Sequence, residues 1–201
     1  MMRARRGRFA IFDQAADQGL TAVPRAIGSA AISVKPTARG AGLDRFQTSG
    51  CLKILFGRNP SRLDAIMINT AGGLTGGDRL DLTLDVQPRA RMSVTTQAAE
   101  RAYRASSGQA RVTSHLTVGD GATLFWLPQE LILFDGAALT RTLHCDLADT
   151  ARLLLVEPVV FGRTLMGETL TNAAFRDKIV LNRNGAPLYR DITQLQGDLT
   201  A

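Results

Sequence analysis

The chain has 201 residues, and its 24 Lys and Arg against 18 Asp and Glu give a formal net charge of +6. This length suits a single domain, and a content of 45% hydrophobic and 21% charged residues excludes wholesale disorder. No apolar run approaches the ~20 residues that a membrane-spanning helix needs. The lysines are Lys35, Lys53 and Lys178, and the arginines are dispersed along the chain, so the charge alone decides little about function.

The N-terminal segment is basic, because residues 1–9 contain four arginines. No apolar stretch of about 7–15 residues follows, which excludes a secretory signal peptide and leaves an Arg-rich organellar presequence as the alternative. We expect residues 1–28 to form a flexible basic segment and residues 29–201 to form one β domain. We also expect the protein to be cytoplasmic.

From residue 29 onward the predicted elements are short strands bounded by Gly, Pro, Asn and Asp. Arg79–Val86 alternates strictly between apolar and other residues, which is typical of a strand with one buried face. Asn184-Gly185 indicates a two-residue hairpin, because a type I′ turn needs positive φ at both central residues. The other predicted strands are Leu63–Asn69, Ala90–Thr96, Arg111–Val118, Ala122–Leu127, Leu131–Phe134, Leu139–Leu147, Arg152–Glu157, Phe175–Asn182 and Ala186–Ile192.

A faint repeat runs through these strands. Ala90, Ala122 and Ala151 each follow an apolar residue by four positions and precede a new strand, at separations of 32 and 29 residues. Such units favour a layered or solenoid-like architecture, with an ordinary β-sandwich as the alternative. Two segments could be helical, Thr96–Ser106 being the better candidate and Thr164–Ala174 the other. We therefore predict a mostly β fold of stacked antiparallel or β-helical-like sheets, with one or two short helices.

Cysteine and histidine are scarce, with Cys51 and Cys145 as the two cysteines and His115 and His144 as the two histidines. A structural zinc site needs about four such ligands at short spacing, and neither C-x-x-C nor H-x-x-x-H occurs. A disulfide between the two cysteines is conceivable, but no export signal favours it. Both histidines fall in alternating segments, where we expect them to lie on strand faces.

The segment Asn69–Asp78, NTAGGLTGGD, contains four glycines in ten residues. Successive backbone N–H groups in such a segment can form an anion nest. However, the segment matches neither the P-loop, which needs G-K-[ST], nor G-x-G-x-x-G. The alternative is a pair of tight turns between the strand that ends at Asn69 and the strand that begins at Arg79.

Acidic residues are the remaining candidates for chemistry. Glu130 ends the segment WLPQE and is a candidate general acid, metal ligand or binding contact, or simply the partner of an arginine. A hydrolase would combine two of Glu130, Glu157 and Glu168, but no spacing supports a particular pair. No G-x-S-x-G motif occurs either, so the sequence predicts no enzyme.

A nucleic-acid-binding module would show clustered cations interleaved with exposed aromatic residues. Aromatic residues make up 5% of this chain, and most of the eight phenylalanines lie in apolar strand segments. A basic β domain that binds RNA or another polyanion therefore stays open as an alternative.

Taken in chain order, several segments resemble the conserved blocks of one family. NTAGGLTGGDRL, TTQAAERAYR, LFWLPQELILFDGAAL and FGRTLMGE are similar to blocks of the urease accessory protein UreD family, called UreH in some bacteria. The resemblance runs from about Arg45 to Asp191 and is looser before Arg45. Members usually continue well beyond the position of Ala201, so we expect the β domain 29–201 to lack the family's C-terminal portion.

The resemblance implies a function that residue chemistry alone does not reach. Family members are not enzymes but scaffolds for nickel insertion, which bridge apo-urease and the complex of UreF with the GTPase UreG. Their fold is predominantly β, and nickel is thought to cross them through an internal, water-filled passage. No tightly bound cofactor is implied, and Ni²⁺ would be bound transiently.

The scarcity of Cys and His suits such a passage, because scattered oxygen ligands bind Ni²⁺ more weakly than a Cys/His cage. Asp78, Glu130 and Glu168 are acids within the matched blocks, and we predict that they are transient nickel ligands. The alternative is that they cap turns or pair with arginines such as Arg163. Further positions assigned to a partner-binding or structural motif are Gly72, Gly73, Gly76, Gly77, Trp126, Pro128, Gly162, Arg163 and Gly167.

Overall fold

Residues 24–199 are described by the computed structural model, and strands account for most of them. One 3₁₀ turn, Thr164–Met166, is the only helical element within this part of the chain. The strands are β1 (Ile27–Thr37), β2 (Gly40–Gly50), β3 (Leu52–Gly57), β4 (Leu63–Asn69), β5 (Arg79–Val86), β6 (Arg91–Thr96), β7 (Glu100–Ala102), β8 (Ala110–Val118), β9 (Thr123–Trp126), β10 (Leu131–Leu133), β11 (Ala138–Leu147), β12 (Arg152–Leu155), β13 (Val159–Phe161), β14 (Ala173–Arg183) and β15 (Ala186–Gly197).

These strands form three sheets. Sheet A has the order β15-β14-β11-β8-β5-β1-β2, sheet B the order β12-β9-β6-β4-β3, and sheet C the order β13-β10-β7. The chain visits the sheets in rotation, so that β5-β6-β7, β8-β9-β10 and β11-β12-β13 are successive coils, each pairing in parallel with the next. Antiparallel pairs occur where β1 meets β2, β3 meets β4 and β14 meets β15. The predicted β-helical stacking is therefore confirmed.

The repeated alanines mark one corner of the coils. Ala90, Ala122 and Ala151 lie between sheet A and sheet B and are almost fully buried. The amides that follow Ala122 and Ala151 donate to the alanine of the coil before, Thr123 N to Ala90 O at 3.0 Å and Arg152 N to Ala122 O at 2.9 Å. A small side chain is needed where one corner stacks directly on another, which explains the repeat in the sequence.

The predicted hairpin is also confirmed. Arg183 pairs with Ala186 across a two-residue loop in which Asn184 and Gly185 have φ values of 50° and 75°. Both lie in the left-handed region that a type I′ turn requires. β15 forms the edge of sheet A and is largely exposed.

The helix predicted over Thr96–Ser106 is wrong. This segment contains the end of β6 and the whole of β7, which pairs in parallel with β10, and Arg104 forms a bridge with Ala137. Local sequence favoured a helix, but pairing with the next coil satisfies the same backbone groups and buries Ala102. In the second helical candidate, Thr164–Ala174, the helical part is the 3₁₀ turn Thr164–Met166.

Two apolar cores fill the coils. The larger lies between sheets A and B and the smaller between sheets A and C. Among residues 24–199, no helix is long and apolar enough to cross a membrane. Residues 1–23 of the predicted basic segment lie outside the described residues, and β1 already begins at Ile27.

Candidate functional site

A polar pair lies between the two cores on the inner face of sheet A. Leu139 belongs to the smaller core and Leu143 to the larger one, and Arg141 lies between them on β11. Because strand side chains alternate in direction, Arg141 points inward as both leucines do. The residue opposite it on β14 is Asp177, which is also buried.

Arg141 and Asp177 form a bidentate ion pair. Arg141 Nε donates to Asp177 Oδ1 at 3.0 Å, and Nη2 donates to Oδ2. Each side chain is 11% exposed. The Arg141 guanidinium also lies 5.9 Å from the centre of the Phe175 ring. A charge pair at this depth is retained only when its geometry is good, because burial removes both ions from water.

Glu157 joins this pair from the opposite wall. Trp126 Nε1 donates to Glu157 Oε1 at 2.9 Å, and Glu157 Oε2 lies 3.5 Å from Arg141 Nη2. The Glu157 side chain is 5% exposed, and within residues 24–199 its Oε2 has no hydrogen-bond partner. Burial raises the pKa of Glu157, against the opposing effects of Arg141 and the Trp126 hydrogen bond.

A second carboxylate, Glu100, lies at the start of β7. Asn69 Nδ2 donates to both of its oxygens, at 3.2 and 3.3 Å. Burial raises the pKa of Glu100 as well, and the Asn69 hydrogen bond acts in the opposite direction. Asn69 is held in turn by the loop that follows it, since its Nδ2 also donates to Gly73 O at 3.2 Å.

One interior cavity of about 260 Å³ is lined by Asn69, Glu100, Trp126, Arg141 and Glu157. Sheet A contributes Leu82, Ser114 and Arg141, and the corner between sheets B and C contributes further residues. Some of these, including Gln97 and Gln129, are exposed, so the cavity reaches the surface at this corner. Its polar members are Asn69, Thr96, Gln97, Glu100, Arg101, Thr113, Ser114, Trp126, Gln129, Arg141 and Glu157.

The cavity wall combines oxygen-bearing side chains with two arginines, Arg101 and Arg141. The atoms of this wall that could coordinate a metal ion are carboxylate, amide and hydroxyl oxygens. Neither cysteine nor histidine is among the lining residues. Oxygen ligands of this kind bind divalent cations such as Ni²⁺ more weakly than clustered thiolate or imidazole ligands do. Within residues 24–199, no group of three or more His, Cys, Asp or Glu residues is already arranged to hold a metal ion.

The structure places the three predicted nickel ligands outside the residues that line this cavity. The buried carboxylate of Asp78 accepts from the amides of Ala26 and Thr75, each at 2.8 Å. Glu130 is half-buried, and its carbonyl accepts from Glu100 N at 2.9 Å, directly beside Gln129 of the cavity wall. Whether these acids contact nickel stays a prediction.

The third acid, Glu168, closes a surface loop. Its Oε2 accepts from Arg163 N and from Arg163 Nε, both at 2.9 Å, and the pKa of Glu168 is lowered chiefly by the hydrogen bond from Arg163. The Arg163 guanidinium lies 4.5 Å from the centre of the Phe134 ring. Gly162 has a φ of 68°, and a Cβ there would lie 2.5 Å from Leu170 Cδ1. Glu157 and Glu168 therefore belong to different sites and do not form an acid–base pair.

The glycine-rich loop Asn69–Asp78 adds a partial coil below β7. Leu74 is buried and forms a parallel bridge with Ala102. A Cβ on Gly76 would lie 2.1 Å from Ser107 O, and one on Gly73 would lie 2.3 Å from the Tyr103 ring. The glycines therefore permit close approach to the next coil, which accords with the structural interpretation of the loop.

Gly72, Trp126 and Pro128 of the predicted motif line the cavity, but sequence reasoning missed the charged residues of the site. Glu100 lies within a quoted block and Glu157 was considered only for hydrolysis, while Arg141 and Asp177 carried no motif. The repeat was the available signal for Glu157, because Leu155 pairs with Trp126 of the previous coil and Glu157 follows two residues later. Nothing local distinguished Arg141 from the other dispersed arginines.

Comparison with known proteins agrees with the resemblance of the quoted segments. The family described as UreD urease accessory protein matches residues 26–201. Proteins named urease accessory protein UreD are similar to this chain, with 50% identity over 177 residues in Roseobacter denitrificans and 52% over 161 residues in Ruegeria pomeroyi. A third, from Paracoccus denitrificans, is 40% identical over 195 residues.

The three alignments cover 88%, 79% and 96% of this chain. They cover 65%, 63% and 67% of the respective relatives, so the chain spans about two thirds of the length of those proteins. A match over residues 26–201 includes the whole solenoid and every residue of the cavity. The chain belongs to the UreD family of urease accessory proteins.

Proposed function

We propose that this chain acts in urease maturation, as a cytoplasmic scaffold that passes nickel through its interior cavity towards apo-urease. The observation that carries the proposal is the orphaned Glu157 Oε2, a buried carboxylate oxygen in a cavity that reaches the surface. A buried carboxylate oxygen that accepts no hydrogen bond is stabilised by a cation or a proton, and Arg141 Nη2, at 3.5 Å, supplies part of that stabilisation. Nickel is the cargo here and not a resident cofactor, so weak ligands are an advantage.

Two carboxylates at different positions along the wall support a passage. Glu100 lies on β7 next to the glycine-rich loop, and Glu157 follows β12 two coils further on. The acids predicted from sequence would extend such a path beyond the cavity, since Glu130 is adjacent to Gln129 of the wall. Ligand exchange between successive weak sites allows release as well as entry.

The test is urease activation in cells that lack their own UreD family member and express this chain. We expect Glu157→Gln and Glu100→Gln to lower the urease activity that develops, while Asp149→Asn, a surface change, leaves it at the parental level. Parental activity with both cavity variants would contradict the proposed route. Asp78→Ala and Glu168→Ala in the same assay test the ligands predicted from sequence, which would be abandoned if both variants activated urease normally.

For partner binding we propose the loop Phe161–Glu168 as a contact for UreF, through which UreG would be bound. The Arg163–Glu168 pair holds the loop closed, and Leu165 and Met166 are strongly exposed at its tip. Exposed apolar side chains of this size often mark protein contacts. We expect Leu165→Ser with Met166→Ser to weaken co-elution with UreF in size exclusion, and unchanged co-elution would exclude the loop.

A second candidate function, polyanion binding, is favoured by one feature of the outer face of sheet A. Arg111 and Arg176 flank Thr140 in register, and Lys178 lies beside Thr142. These residues surround one concavity, and none of the three cations forms an ion pair with a described residue. Binding to a short RNA that weakens steeply with added salt would support this function, and absence of binding at low salt would exclude it.

A further inference from the structure

Among residues 24–199, the cation that lies within ion-pair distance of Glu157 Oε2 is the Arg141 guanidinium. The distance of 3.5 Å between Nη2 and Oε2 is too long for a strong hydrogen bond. Arg141 is occupied by Asp177 instead, because both Nε and Nη2 donate to that carboxylate. The guanidinium is therefore held close to Oε2 without satisfying it.

This arrangement determines the net charge of the groups around a cation that binds at Glu157. Arg141, Asp177 and ionised Glu157 together carry one net negative charge, whereas the two carboxylates without Arg141 would carry two. At the low effective dielectric of a buried site, a fixed positive charge a few Å away strongly opposes a second cation. The Arg141 guanidinium must also move away from Oε2 when a divalent ion binds to that oxygen.

We propose that Arg141, held in place by Asp177, is the residue that keeps divalent-cation binding at Glu157 transient. Arg141 is a positioning residue in this role, since it acts on the cation through its charge and its contact with Glu157. The inference rests on the proposed function in one respect, because it takes Glu157 as a point on the nickel path. It adds the mechanism of release, which a wall of carboxylates alone would not supply.

The proposal makes predictions of opposite sign for two neighbouring changes. Arg141→Met removes the competing charge, so Ni²⁺ is expected to bind at least about tenfold more tightly. Asp177→Asn frees the guanidinium to pair fully with Glu157, so Ni²⁺ is expected to bind more weakly than to the parent chain. Glu157→Gln is expected to abolish the binding step.

The experiment is calorimetric titration of the 201-residue chain and its variants with Ni²⁺ alone, after circular dichroism has confirmed that each variant is folded. Asp120→Asn, an exposed change on the corner between sheets A and B, is the matched control and should bind as the parent does. If Arg141→Met does not fold, Arg141→Gln, which also removes the positive charge but keeps a hydrogen-bond donor for Asp177, takes its place. Unchanged or tighter binding in Asp177→Asn overturns the proposal, as does unchanged affinity in folded Arg141→Met.

Failure of this inference is distinguishable from failure of the proposed function. The titration measures binding at Glu157 without urease, whereas the proposed function is read from urease activation in cells. Equal Ni²⁺ affinity in the parent, Arg141→Met and Asp177→Asn, together with reduced activation in Glu157→Gln, would reject the role of Arg141 and leave the passage in place. Affinities that shift as expected, with normal activation by Glu157→Gln, would keep the binding mechanism and reject the passage.

Discussion

Trp126 Nε1 donates a 2.9 Å hydrogen bond to Glu157 Oε1 from one coil of the solenoid to the next. Trp126 is the single tryptophan of the chain, and its ring is buried against the cavity. The indole therefore stands directly beside the carboxylate whose other oxygen is orphaned. Its fluorescence is a local probe of the protonation of Glu157.

The first prediction concerns pH. Burial raises the pKa of Glu157 above its ordinary value of 4.5, so we expect Trp126 fluorescence to titrate with a midpoint above that value. The transition should be absent in Glu157→Gln. A midpoint at or below the ordinary value in the folded chain would contradict the buried environment described for this carboxylate.

The same shift has a consequence for stability. Because the folded state binds the Glu157 proton more tightly than the unfolded state, its stabilising contribution is complete below the ordinary pKa and is lost as pH rises through the raised value. We expect the free energy of unfolding of the parent to fall more with rising pH than that of Glu157→Gln. Urea unfolding followed by circular dichroism at several pH values measures both slopes, and parallel slopes would contradict the linkage.

The second prediction compares a buried and an exposed arginine. Arg141→Met leaves the carboxylates of Asp177 and Glu157 buried without their cation, and we expect a loss of about 3–5 kcal/mol in the free energy of unfolding. Arg104→Met removes the solvent-exposed ion pair with Asp135 and is expected to cost much less, because water screens such a pair. Urea unfolding measures both changes. Equal losses would show that Arg141 is not buried as described.

The third prediction separates two glycines of the loop Asn69–Asp78. Gly72 needs its left-handed φ of +77° and has open space for a Cβ, so Gly72→Asn should be tolerated, since asparagine adopts this region most readily after glycine. Gly76 lacks space, because a Cβ would lie 2.1 Å from Ser107 O, and Gly76→Ala is expected to cost about 1–3 kcal/mol or more. Thermal unfolding of both variants is the measurement. A larger loss in Gly72→Asn than in Gly76→Ala would contradict the packing of the loop.

The fourth prediction concerns the two free thiols. Burial, followed by the charge of Asp146, raises the pKa of Cys145 to about 12, and Cys145 is fully buried. Cys51 is half-buried, and its pKa is also raised by burial. We expect iodoacetamide to modify Cys51 much faster than Cys145 in the folded chain, as read by mass spectrometry.

Unfolding supplies the control for this labelling. In urea both thiols should react at similar rates, because the pKa and the access of each thiol return to their ordinary values. Equal labelling in the folded chain would show that β11, which carries Cys145, opens readily.

Much of the fold was predictable because it depends on local and periodic signals. The strand Arg79–Val86 and the Asn184-Gly185 turn were predicted at the positions where the structure has them, since alternation and positive φ are properties of neighbouring residues. The helix predicted over Thr96–Ser106 was wrong because its backbone pairs with residues about 30 positions away. Such pairing leaves no mark in the local pattern.

The candidate site divides in the same way. Sequence blocks were enough to predict the family. The association of Arg141 with Asp177 and Glu157 depends on strand register and on the corner of the next coil. No spacing along the chain predicts that contact.

The sequence by itself determined the short strands, the turns between them, the alanine repeat and the family of this protein, because each of these follows from residue order. Only the tertiary structure decided which of the 24 cations and 18 acids are buried together. Coil stacking places Arg141, Glu157 and Asp177 between two apolar cores. The low dielectric there strengthens the electrostatic interactions among these three side chains. Charges that were dispersed along the chain thus become a concentrated interior site.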